Sequence, residues 1–137
     1  MPLEEEKVAE TRAWLVRAAM DLRAAEHERN ADPPITSDMV FHAQQLAEKA
    51  MKAFLTWHDQ PFRKTHSLVE LGGQCVDVDL GLEPLLRRAA PLSEYAWKFR
   101  YPGDPEEPAL EEAEGALAIA SEVYRGILEK LPDRVRP

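Results

Sequence analysis

The sequence predicts an all-α fold, an antiparallel up-and-down bundle of four to five helices. Three observations predict it. Apolar residues recur at spacings of three and four through most of the chain. Strand signals are nearly absent, since the one candidate run, Gln74–Val78 with its β-branched Val76 and Val78, is too short and too acidic for a strand. The breaks between periodic segments are short and rich in proline and aspartate.

The first helix is expected from about Leu3 to Arg29. Trp14, Leu15, Ala18, Leu22 and Ala25 give it one apolar face, and Glu4, Glu5 and Glu6 favour the dipole at its first turn. Asn30-Ala-Asp-Pro-Pro then breaks it. The second helix is expected from Ser37 as N-cap, with Thr36 as the alternative, to about Trp57. Val40, Ala43, Leu46, Ala47, Ala50, Met51, Phe54 and Leu55 make a wide apolar stripe on it. At about 1.5 Å per residue it spans about 31 Å, the length of a central stave.

Asp59-Gln60-Pro61 opens a loop. A short third helix follows from Thr65 or Ser67 and is expected to fade at Gly72-Gly73. The fourth carries Leu82, Leu85, Leu86 and Ala89, with Pro84 in its first turn. Pro91 is expected to kink or split it before it resumes through Tyr95, Trp97 and Phe99. Arg100 to Asp104 reads as a turn. The last helix is expected from Pro108 to about Leu131, with Ala113, Ala116, Leu117, Ala120, Val123, Tyr124 and Ile127 on its apolar face. Short links between such helices favour antiparallel neighbours.

The chain has 137 residues, 45% of them apolar and 31% charged, which fits one domain over 1–137 with a core of its own. No apolar run reaches the roughly 20 residues of a membrane span. The start, MPLEEEK, is acidic where a secretory signal is basic, and the single Cys75 has no internal disulfide partner. A cytoplasmic location is the expectation. The net charge of −8 argues against a free-standing DNA or RNA binder, whose affinity rests largely on phosphate contacts. A phosphate-bearing ligand must be held locally or by a partner.

Three segments could carry chemistry. Gln45, Glu48, Lys49 and Lys52 share a helix face, either a solvated one with a Glu48–Lys52 pair or one that lines a groove or interface. The loop from His58 to His66 gathers His58, Arg63, Lys64 and His66. A histidine can move a proton near neutral pH, an arginine can grip phosphate oxygens, and a helix start adds anion affinity. Those are parts of a metal-independent ribonuclease. They are equally the parts of a helix cap and a surface ion pair. In the third segment, Tyr95 to Pro102, aromatics alternate with cations. Tyr95, Trp97 and Phe99 are expected in the core, leaving Arg100 and Tyr101 as binding candidates. HExxH, Cys-x-x-Cys and glycine-rich phosphate loops do not occur, and His27 and His42 lack ligand spacing, so no metal or cofactor is expected.

AMDLRAA at Ala19–Ala25, Phe41–Leu55 with its Gln44, Gln45, Glu48, Lys49 and Lys52, the Lys64-Thr-His-Ser-Leu68 turn and Tyr95…Arg100-Tyr101-Pro102 follow one another along the chain. In that order they resemble the HEPN family (higher eukaryotes and prokaryotes nucleotide-binding domain) over nearly the full length. The resemblance implies a helical bundle, homodimerisation and, for many members, a minimal nucleotidyltransferase partner in a two-component, toxin–antitoxin-like system. It also implies a similarity to the helical domain of aminoglycoside nucleotidyltransferases. Nucleotide or partner contacts then fall to Lys49, Lys52, Arg63, Lys64, His66, Arg100 and Tyr101. Some members of the family are ribonuclease toxins, with an arginine, four to six residues and a histidine. Here Arg63 and His66 are separated by only two, and no other arginine stands at the toxin spacing. The expectation is a non-catalytic binding module. A metal-independent endoribonuclease using His66 and Arg63 is the first alternative, and a ligand-free oligomerisation domain the second.

Overall fold

A computed structural model describes residues 2–104 and 106–137, with Pro2 described in its backbone alone. Five α-helices follow in order among them: α1 (Pro2–Arg29), α2 (Thr36–Trp57), α3 (Leu68–Val78), α4 (Glu83–Ala89) and α5 (Leu110–Glu129). Tight 3₁₀ turns at Leu80–Leu82, Ala90–Ala96 and Asp133–Val135 join or trail them. No strand occurs among the described residues, and the fold is the antiparallel helical bundle that the periodicity predicts.

α2 is the central stave. It packs mainly on α1 and also on α5, α3 and the Ala90–Ala96 turn. From Leu46 to Leu55 every residue except Lys49 is buried. A helix covered on all sides should be apolar all round. This one is not, because Gln44, Glu48 and Lys52 lie buried among Leu46, Met51, Phe54 and Leu55. Removing a core ring such as that of Phe54 costs about 3–5 kcal/mol.

Several ends differ from the sequence expectation. Ile35, not Ser37 or Thr36, occupies the N-cap of α2, and no side chain caps that end. Ser37 Oγ donates instead to Glu107 Oε1 at 2.9 Å. α3 does not fade at Gly72-Gly73 but runs through both to Val78. Gly72 is buried where a Cβ would stand 3.6 Å from Leu86 Cβ, so packing offsets its low helix propensity. After α4 the chain tightens into the Ala90–Ala96 turn and does not resume a helix through Phe99. Trp97, expected in the core, is 59% exposed. Tyr95 is buried, its hydroxyl donating to Glu112, and Phe99 is half-buried against its ring.

α2 ends in a turn that sets up the following loop. The Gln60 amide donates to Leu55 O at 2.9 Å and the Asp59 amide to Thr56 O at 3.2 Å. Between them Asp59 takes a left-handed φ of 56°. This is the Schellman arrangement, in which glycine is the usual residue. At the far side of the loop, Ser67 caps α3 by accepting from the Glu70 amide at 3.1 Å.

Candidate functional site

The site grows from a ladder on α2. Gln44, Glu48 and Lys52 are spaced by four, so their side chains lie one above another. Glu48 is the rung that collects the others. Its Oε1 accepts from Gln44 Nε2 at 3.0 Å and lies 2.8 Å from His66 Nδ1. Its Oε2 accepts from Lys52 Nζ at 2.9 Å. Gln44 Nε2 also donates to the His66 carbonyl at 3.0 Å, while its own oxygen accepts from Gln45 Nε2 at 2.7 Å. The His66 residue is thus held twice, by ring and by backbone.

Glu48 and Lys52 are 3% and 7% exposed, which overturns the solvated-face reading of this stripe. Burial pushes the Glu48 carboxyl up. The hydrogen bonds from His66, Lys52 and Gln44 outweigh it and hold the group below its ordinary value. The carboxylate therefore accepts at neutral pH and the hydrogen must sit on His66 Nδ1. In the neutral ring Nε2 then keeps its lone pair. The His66 side chain is 68% exposed.

His66 owes its place to the start of α3. Ser67 is the cap, and its amide donates to Thr65 Oγ1 at 3.0 Å. The Leu68 amide donates to Ser93 Oγ at 2.9 Å, and its side chain is fully buried. His66 therefore flanks a helix N-terminus without capping it.

The other sequence candidates stand apart from this network. Arg63 lies three residues away, but its Nε donates to both oxygens of Glu70, at 2.8 and 3.0 Å. Lys49 Nζ donates to Asp21 on α1 at 2.7 Å. Lys64 forms no ion pair among the described residues and lines a cleft beside Lys52. Arg100 lies over the Phe41 ring at 3.9 Å and pairs with Asp38 at 3.3 Å, in the first turn of α2. At about 1.5 Å per residue, that turn is about 15 Å along the helix from Glu48. Tyr101 is 67% exposed, and its amide donates to Asp104 at 2.6 Å. The fold joins His66 to Lys52 through Glu48 and places Arg63, Arg100 and Tyr101 elsewhere.

The sequence reading missed the anchoring role of Gln44, the burial of Glu48 and the aromatic surroundings of Lys52. The signal was the Gln44-x₃-Glu48-x₃-Lys52 repeat inside an otherwise apolar stretch. Cys75 carries no chemistry, because burial pushes its thiol up to about 12 and leaves it protonated. Among the described residues no group of His, Cys, Asp and Glu is gathered to hold a metal, and no helix is long and apolar enough to cross a membrane.

No curated protein and no solved structure matches the chain. The family model described as HEPN domain matches residues 11–131, a span running from α1 to the end of the last helix. The chain belongs to the HEPN domain family.

Proposed function

We propose that this HEPN chain is a nucleotide- or partner-binding module that acts with a minimal nucleotidyltransferase in a two-component, toxin–antitoxin-like system. It works as a homodimer and is not a catalyst by itself. Lys49, Lys52, Arg63, Lys64, His66, Arg100 and Tyr101 are its contact residues. The observation that supports the reading is the state of the cations. Arg63, Lys49, Lys52 and Arg100 each face a carboxylate of this same chain. A phosphoryl-transfer catalyst needs a cation preorganised toward the reacting phosphate. Here Lys49, Arg63 and Arg100 must first exchange partners, as binding surfaces do.

The test is co-expression with the nearest-encoded minimal nucleotidyltransferase, together with melting curves in the presence of nucleotides. The reading predicts co-purification and a rise in Tm that follows ligand concentration. Absence of both would refute it.

One observation favours a second reading. A buried carboxylate on Nδ1 is how a catalytic histidine is oriented. As a metal-independent endoribonuclease, His66 Nε2 would take the proton of a ribose 2′-hydroxyl. The 2′-oxygen would form a bond to the adjacent phosphorus while the 5′-oxygen leaves, giving a 2′,3′-cyclic phosphate and, after protonation by water, a 5′-hydroxyl. Arg63 would leave Glu70 to meet the phosphate. RNA cleavage that survives EDTA and is lost in His66→Ala would establish this reading. Cleavage unchanged in that variant would remove it.

A further inference from the structure

A cleft of about 600 Å³ opens between α1 and the C-terminal half of α2, closed by the loop that follows α2. Its size falls in the range of about 300–1,000 Å³ usual for small-molecule sites. Glu10 and Trp14, one turn apart on α1, form one wall, and Lys52 and Thr56, one turn apart on α2, form another. Phe62 and Lys64 come from the loop. Trp14 and Phe62 meet edge to face with centroids 6.1 Å apart. The Lys52 ammonium stands 5.3 Å from the Trp14 ring centre and 5.8 Å from that of Phe62.

Lys52 decides what can enter. Its side chain is 9% exposed, yet its ammonium has three N–H groups and, among the described residues, one acceptor, Glu48. The Lys52 ammonium already stands over both rings, which disfavours a cationic ligand there. The cleft therefore wants an occupant that supplies an acceptor to Lys52 and a flat body to the rings. The Glu10 carboxylate offers an acceptor to N–H donors on the same ligand. Lys64 adds a positive charge at the rim. Asp59, also at the rim, is answered by Lys7 at 3.3 Å.

We infer that this cleft binds a mononucleotide with a keto base. The base packs against Trp14 and Phe62, its keto oxygen accepts from Lys52, and its neighbouring ring N–H donates to Glu10. The phosphate reaches Lys64. Guanine and uracil offer that keto and N–H edge, and adenine does not. This inference deepens the nucleotide-binding reading above and rests on it. An occupant also meets, through Lys52, the same carboxylate that positions His66.

Trp14 is its own reporter. In the Trp57→Phe/Trp97→Phe chain it is the single tryptophan, and its fluorescence is titrated with GMP, UMP, AMP and inorganic phosphate. GMP and UMP should quench it, AMP should bind about ten-fold more weakly or worse, and phosphate should leave it unchanged. Phe62→Leu, which keeps an apolar side chain against the core, should weaken GMP about ten-fold through lost stacking. Lys64→Ala should weaken GMP and leave guanosine unaffected. Equal quenching by AMP and GMP would overturn the keto assignment. A nucleotide-dependent rise in Tm of the wild-type chain without quenching of Trp14 would overturn the cleft and leave nucleotide binding intact. Neither a rise nor quenching would sink both.

Discussion

Lys52 and Arg63 lie close in sequence and each faces a glutamate, yet they do opposite work. Lys52 and Glu48 are buried on α2, tied into Gln44 and His66. Arg63 and Glu70 are an exposed pair across a loop, with the arginine side chain 77% accessible. The first pair cannot lose a partner without stranding a charge in the core. The second is screened by solvent and can trade its carboxylate for another anion. Burial, not pairing, separates the cation that must keep its glutamate whatever binds from the one free to trade it for another anion.

The largest effect should come from breaking the buried pair. Glu48→Ala leaves Lys52 uncompensated and His66 unanchored, and should cost about 3–5 kcal/mol in urea unfolding. Glu48→Leu combined with Lys52→Met should recover much of that loss, because an apolar replacement removes both charges together. A double variant as unstable as Glu48→Ala would mean that the ladder is held by contacts other than the ion pair.

Acid should then separate two steps. In the folded chain Glu48 lies below its ordinary value of 4.5, so its stabilisation is present above that pH and fades as pH falls through the folded value. Burial, with help from Lys7, lowers His58 from its ordinary 6.5. Its neutral form is the one the fold favours, so stability begins to fall as pH drops through 6.5 and levels off below the folded value. Denaturation at a series of pH values should show the upper step vanish in His58→Asn and the lower one in Glu48→Gln. Retention of both steps in both variants would assign them to other groups.

A smaller gain is expected at the turn between the two regions. Asp59 holds a φ of 56°, a conformation that glycine adopts without strain. Asp59→Gly should stabilise the chain by about 0.5–1 kcal/mol, less whatever the Lys7 contact contributes. A loss would show that the Lys7 contact matters more than the backbone. The smallest effect belongs to Arg63→Ala, which should leave Tm unchanged while lowering affinity for an anionic ligand or partner. A clear drop in Tm would erase the contrast between the two pairs.

The helices were legible because Ala43, Leu46, Ala47, Ala50, Met51, Phe54 and Leu55 on α2, and Ala113 to Ile127 on α5, repeat at the helical period. The start of α3 was legible to within two residues, at Thr65 or Ser67, and Ser67 is the cap. What sequence could not supply was environment. A Glu48–Lys52 spacing of four looks the same on a solvated face and in a core, and only the covering by α1 and the loop decides between them. Gly72-Gly73 read as a break because propensity is local, whereas Leu86 and Met51 packed beside Gly72 are not. Trp97 read as core because its size suggested burial, yet it falls in the turn after Ala96. His66 was named from its neighbours in the loop. Its true partner, Glu48, is 18 residues away.

The most direct test is the tautomer of His66, read by long-range ¹⁵N–¹H correlation in labelled protein near neutral pH. Glu48 holding the ring predicts that the neutral form of His66 carries its hydrogen on Nδ1, with loss of that preference in Glu48→Gln. A neutral His66 with its hydrogen on Nε2, unchanged by Glu48→Gln, would contradict it.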